Sequence, residues 1–177
     1  MGFVQTHFMA YGMGAGFGDM LLSGMMGAMG GVSVLGSITL GTRSDRAGRR
    51  GPLALAYLLR GLGFVALAGG GMVGSIPLLV LSVAALGFSW AATISLTTAS
   101  CADVWGTKAA GAIVGVALFI MWVGNAAGAY VPALFAAWTG SYAPSLWLNT
   151  ALGVVAAAVV LSIGEVRLVA PRLAESR

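Results

Sequence analysis

Charge is what this sequence has least of. Of its 177 residues 8% are charged, against roughly 25% in an ordinary soluble domain. A water-soluble chain of this size needs a charged shell over its surface, and too few residues are present to build one. That shortage excludes a soluble globular enzyme, a disordered protein and a nucleic-acid reader. The nine basic residues outweigh five acidic ones for a net charge of +4, but they are scattered between apolar runs and form no basic face, so no nucleic-acid partner is expected. Cysteine is nearly missing as well: Cys101 stands alone, which rules out an intrachain disulfide and leaves it a packing role in an apolar run. His7 is the one imidazole, and nothing clusters with it as a metal site would require, so no metal or other cofactor is expected. An intramembrane serine protease would need its nucleophile in a Gly-x-Ser-Gly setting, whereas Ser23-Gly24 follows Leu21-Leu22. No enzyme is expected.

What is present is apolar. Hydrophobic residues make up 59% of the chain, with 28 glycines besides. Six runs stand out, near 2–18, 19–41, 51–71, 76–102, 109–138 and 143–165, and a helix crossing the hydrocarbon needs about 20 mostly apolar residues. Strands of a membrane barrel would instead alternate over about ten residues. The expectation is an all-α, integral membrane six-helix bundle in one domain, with a loop over 42–50 and a tail over 166–177. Arg43, Arg46, Arg49 and Arg50 lie between the second and third runs, Lys108 between the fourth and fifth, and Arg167, Arg172 and Arg177 after the sixth. If six spans alternate, all of these fall on one side. The positive-inside rule then puts both termini in the cytoplasm of a multi-pass cell-membrane protein. The first run offers about 17 residues and opens with no polar flank, which suggests a missing upstream part.

Between the second and third runs the chain reads Gly41-Thr42-Arg43-Ser44-Asp45-Arg46-Ala47-Gly48-Arg49-Arg50. This resembles the G-x-x-x-D-R-x-G-R-R signature of the major facilitator superfamily of secondary transporters, with Gly41, Asp45, Arg46, Gly48, Arg49 and Arg50 at the signature's fixed positions. A cytoplasmic loop tends to collect arginine, but that does not account for Gly41, Asp45 and Gly48 at set offsets. Gly41 would let another helix pack close against the backbone. Asp45, an acid among four arginines, would stay ionised, and the resemblance implies that it docks near the start of a helix in the other half. Arg46, Arg49 and Arg50 would pair with it, with carbonyls or with anionic lipid heads, as a latch for one state of the transport cycle. The opening Phe3-Val4-Gln5-Thr6-His7-Phe8 with Tyr11 resembles the seventh helix of monocarboxylate and oxalate–formate type porters. The stretch Gly111 to Gly128, with Pro132 and Gly140-Ser141-Tyr142-Ala143-Pro144, resembles their eleventh. The resemblance implies helices seven to twelve of a twelve-helix fold.

Small residues let helices approach closely in lipid. The pairs Gly27/Gly31, Gly111/Gly115, Gly124/Gly128, Gly12/Gly16 and Gly14/Gly18 are the candidates for such contacts. Polar residues inside apolar runs are the default functional candidates. Arg60 is the costliest, at about 2.5–3.5 kcal/mol for a basic residue at mid-membrane, with no acid at matching depth. It is expected to meet carbonyls, a missing segment or an anionic substrate, although the resemblance makes its helix an outer support. His7 and Tyr11 share a helix face, and by the resemblance that helix lines the central cavity, where proton coupling or carboxylate binding would be their role. A lone intramembrane histidine more often just bonds its neighbours. Trp90, Thr93 and Thr97 recur at helical spacing, with back-bonding of the hydroxyls to their own helix as the plainer role. Trp122 and Asn125 are three apart, and Asn125 serves equally as an interhelical tie. The second and fifth runs hold no basic residue, where the resembled porters carry an arginine and a lysine, so neither oxalate nor lactate is named as substrate.

The function these residues imply is a half-length secondary active transporter of a small solute, with an organic anion as one candidate and a proton or another ion as coupling partner. Its partners would be the lipid bilayer and either the missing N-terminal six-helix half or a second copy. The alternative is a non-transporting membrane fragment or interaction module needing such a half.

Overall fold

A computed structural model describes residues 1–163, with side chains throughout except at 107–110. The tail expected over 166–177, with Arg167, Arg172 and Arg177, lies outside the described residues, as does the side chain of Lys108. Six helices and no strand form among the described residues: α1 (Gly2–Gly14), α2 (Asp19–Ala47), α3 (Arg50–Val73), α4 (Ile76–Gly106), α5 (Gly111–Thr139) and α6 (Ala143–Ser162). Five of them, α2 to α6, are long and apolar enough to cross a membrane. The described residues are therefore all-helical, with several helices capable of sitting in a bilayer.

The first run differs from its expectation. Its helix has 13 residues, a rise of about 20 Å, and falls short of the hydrocarbon thickness. It stops where Gly16 takes φ 87, a left-handed backbone that a glycine adopts without penalty. The loop expected over 42–50 also shrinks. α2 continues through the arginine motif to Ala47, and only Gly48, at φ 89, breaks the helix before α3 begins at Arg50. The intervening residues are compatible with helix, so the chain turns only where the geometry needs glycine. α4 and α5 meet at Gly106 (φ 72, ψ 165).

α4 packs against both α2 and α3, and α3 in turn packs against α6. The main core joins Phe3, Val4 and Phe8 of α1 to Leu22, Met25 and Met29 of α2, Phe64 and Leu67 of α3, Leu79, Val83 and Leu86 of α4, and Leu146 of α6. A smaller cluster at the Gly48 end holds Leu40, Ala56, Ala92 and Leu96. α5 contributes almost nothing to either.

Most of the glycines that bring helices together are not those of the expected pairs. A β-carbon on Gly27, Gly31, Gly111, Gly115, Gly124, Gly14, Gly16 or Gly18 would meet nothing within 4 Å, and the same holds at Gly41, which lies inside α2. Gly128 does meet a neighbour, since a β-carbon on Gly2 would stand 2.7 Å from the Gly128 carbonyl carbon, and Gly12 faces the side chain of Leu22. The close contacts instead fall at Gly36, whose β-carbon would collide with the Phe88 carbonyl, and at Gly61 and Gly153, where a β-carbon on Gly153 would stand 2.8 Å from the Gly61 Cα. Spacing along one helix marks a smooth face; which face meets a neighbour depends on how each helix is rotated about its axis.

Candidate functional site

At the Gly48 turn the motif works as a clamp centred on Arg49. Because α2 reaches Ala47, Ser44 and Asp45 sit on its last turn, within reach of Arg49 beyond the turn. Arg49 Nη1 donates to Ser44 Oγ at 3.1 Å and to Asp45 Oδ1, and its Nε donates to Asp103 Oδ2 at 2.7 Å. One guanidinium thus ties the end of α2 to the last turns of α4. The hydrogen bond to Asp103 holds the Arg49 guanidinium above the usual arginine range, opposed only in part by burial. Asp103 is the better enclosed partner, its side chain 19% exposed against 64% for Asp45. The pairing of Asp103 with Arg49 spans 54 positions, and no local pattern in the sequence announces it. Of the three arginines expected to pair with Asp45, Arg49 alone does so among the described residues. Arg46 is exposed, and the shielded Nε of Arg50 meets no acceptor.

A cavity of about 410 Å³ opens between α1, α3, α4 and α5. It gathers six of the eight polar and aromatic candidates: Arg60, Trp90, Thr93, Thr97, Trp122 and Asn125. Arg60 reaches it from α3, so the helix expected to stand behind the cavity supplies its one charged side chain among the described residues. Its Nη2 donates to the Ser89 carbonyl at 3.1 Å and to Thr93 Oγ1 at 2.8 Å. Thr93 Oγ1 in turn donates to the Ser89 carbonyl at 2.7 Å. The hydroxyl thus bonds back to its own helix and also faces the cavity. Arg60 also lies over the Tyr57 ring, 5.6 Å from its centroid. Its shielded Nε meets no acceptor, and no carboxylate among the described residues pairs with it. Neutral oxygens orient this cation without cancelling its charge.

His7 and Tyr11 belong elsewhere. His7 Nε2 donates to the Ala129 carbonyl at 2.7 Å, and the Tyr11 hydroxyl donates to the Leu67 and Ala68 carbonyls, both at 3.3 Å. Both rings join Phe3 and Tyr142 in an aromatic cluster. They share a face of α1, as their spacing requires, but that face ties α1 to α3, α5 and the turn before α6 and does not line the cavity. Gln5, which the sequence reading passed over, does line it and accepts a hydrogen bond from Asn125 Nδ2 at 2.9 Å. A glutamine inside an apolar run was the available signal.

No group of His, Cys, Asp or Glu that could hold a metal ion occurs among the described residues. Comparison with family models, with curated proteins and with solved structures finds no match to this chain.

Proposed function

We propose that the chain is one six-helix lobe of a secondary active transporter of the major facilitator type, carrying a small organic anion across a cell membrane by alternating access. In that mechanism the solute sits between two bundles that rock against each other, and the second bundle would be an N-terminal half or another copy. The observation carrying the reading is Arg60: a cation with no carboxylate partner among the described residues, facing a cavity with Thr93, Thr97, Trp90, Trp122 and Asn125. A guanidinium held by neutral oxygens is ready to accept an anion. The Arg49 clamp supports the motif's reading as a latch, since one side chain couples α2 to α4 at the end where such a lobe would open and close.

The test is uptake of a panel of short organic anions into proteoliposomes, with and without an imposed proton gradient. The chain alone is expected to give no uptake above empty vesicles, and co-production with a second six-helix lobe to restore it. In the competent assembly Arg60→Gln lowers kcat/KM by about tenfold or more, the loss of one charge-assisted contact, while Arg60→Lys retains part of it. Robust uptake by the isolated monomer would overturn the half-transporter reading. The alternative, a membrane module that binds a partner and transports nothing, draws on the bareness of α5, whose most apolar window buries none of its residues. It predicts assembly without uptake.

A further inference from the structure

A second cavity, of about 490 Å³, lies on the other side of Arg60, between α3, α5 and α6. Met1, Tyr57, Arg60 and Gly124 form walls of both cavities, so Arg60 stands at their junction. The second cavity is a slot along the helix axes. Gly61 packs against Gly153, and Ser145 lies eight residues before Gly153 on α6, so the slot runs about 12 Å from Arg60 to Ser145. Between them it is walled mainly by apolar groups, Phe64, Val131, Leu148 and Leu152 among them. Ser145 is fully buried, and its hydroxyl meets no partner. At the opposite end Arg60 bonds its own protein through Nη2, while its Nε meets no acceptor.

A short hydrophilic anion would satisfy the cation and leave this slot unused. A purely apolar molecule would fill the slot and leave a guanidinium without counter-charge, which is costly in a low-dielectric setting. The ligand that matches both has one carboxylate and one hydrocarbon chain. We propose that the slot binds a medium-chain carboxylate, its acid group on the uncommitted part of the Arg60 fork and its chain running between α3, α5 and α6 toward Ser145. This rests on Arg60 as an anion-binding group, which it shares with the transporter reading, and does not require that the lobe transport anything.

Binding of radiolabelled decanoate to the full chain in detergent is the direct measurement, by scintillation proximity. Saturable binding is expected, displaced by unlabelled decanoate and not by decan-1-ol or acetate. Arg60→Gln weakens it by about tenfold or more. Ala127→Phe, which projects a ring into the slot from α5, abolishes decanoate binding without altering the charge at Arg60. Both variants are scored only as monodisperse protein, and Ala127→Phe guards against an Arg60 variant that fails to fold. Equal displacement by decan-1-ol, or binding unchanged in both variants, overturns the proposal by reducing it to micelle partitioning. If Ala127→Phe leaves decanoate binding intact while Arg60→Gln removes short-anion uptake, the slot is refuted and the transporter reading stands. Loss of decanoate binding in both variants with no anion uptake by any assembly supports the slot and refutes transport.

Discussion

At the scale of single residues, two arginines divide the work of the chain's few charges. Arg49 is committed on both flanks, to Asp45 and Asp103, whereas Arg60 is oriented by neutral oxygens and keeps its charge available. The exposures of the two acids rank the Arg49 contacts. Exposed ion pairs contribute little, about 0–1 kcal/mol, so Asp45→Asn, at the more open position, is expected to move the thermal midpoint in detergent hardly at all. Asp103→Asn leaves the guanidinium with a weakened enclosed partner and should lower stability by about 1–3 kcal/mol. Thermal unfolding of the two variants side by side is the measurement, and an equal shift in both would remove Asp103 as the principal anchor. The motif's residues were plain in the sequence. That its Arg49 reaches α4 was not, because side-chain partners so far apart in the chain are chosen by helix placement.

At the scale of helices, contact is made where two backbones meet, not where small residues merely recur. Gly61 and Gly153 face each other across α3 and α6, and Gly36 sits on the Phe88 carbonyl of α4. A valine at Gly153 would have to push α6 away from α3, and overpacking of this kind costs about 1–3 kcal/mol. Gly27→Val, by contrast, places its methyl groups in open space and should leave the thermal midpoint nearly unchanged. Size-exclusion profiles on heating would separate the two. A Gly153→Val variant as stable as the parent would show that α3 and α6 can part without penalty. The glycine spacing on α2 was legible and its apparent partner was not, since a helix offers the same pattern whether or not anything lies against it.

At the scale of the whole molecule, the helices divide unequally. α3 and α4 are the centre of the packing, while α5 is held to the rest chiefly through α1, by Asn125 on Gln5 and the Ala129 carbonyl on His7, with a cavity on either side of Arg60. The arginine distribution predicts that the Gly48 end faces the cell interior. Cysteine scanning in a Cys101→Ser background checks this: Ala47→Cys should react only with reagents that cross the membrane, and Ser141→Cys with impermeant ones applied outside. The reverse pattern would invert the orientation and remove the latch from the cytoplasmic side.

Sequence alone determined the helical class, the positions of the long apolar helices and the residues unfit for lipid, because these follow from local composition and from the length a helix needs to cross a bilayer. It did not reveal that α2 absorbs the arginine motif, or that His7 and Tyr11 bond backbone carbonyls of other helices within an aromatic cluster. Nor could it show that an arginine on α3 faces Thr93 on α4 at the meeting of two cavities. Those depend on the rotation and offset of each helix against its neighbours, set jointly by contacts such as Gly61 on Gly153 and Phe3 among Phe64 and Tyr142. Helical periodicity places residues on a face; only packing of all the helices together decides what that face meets.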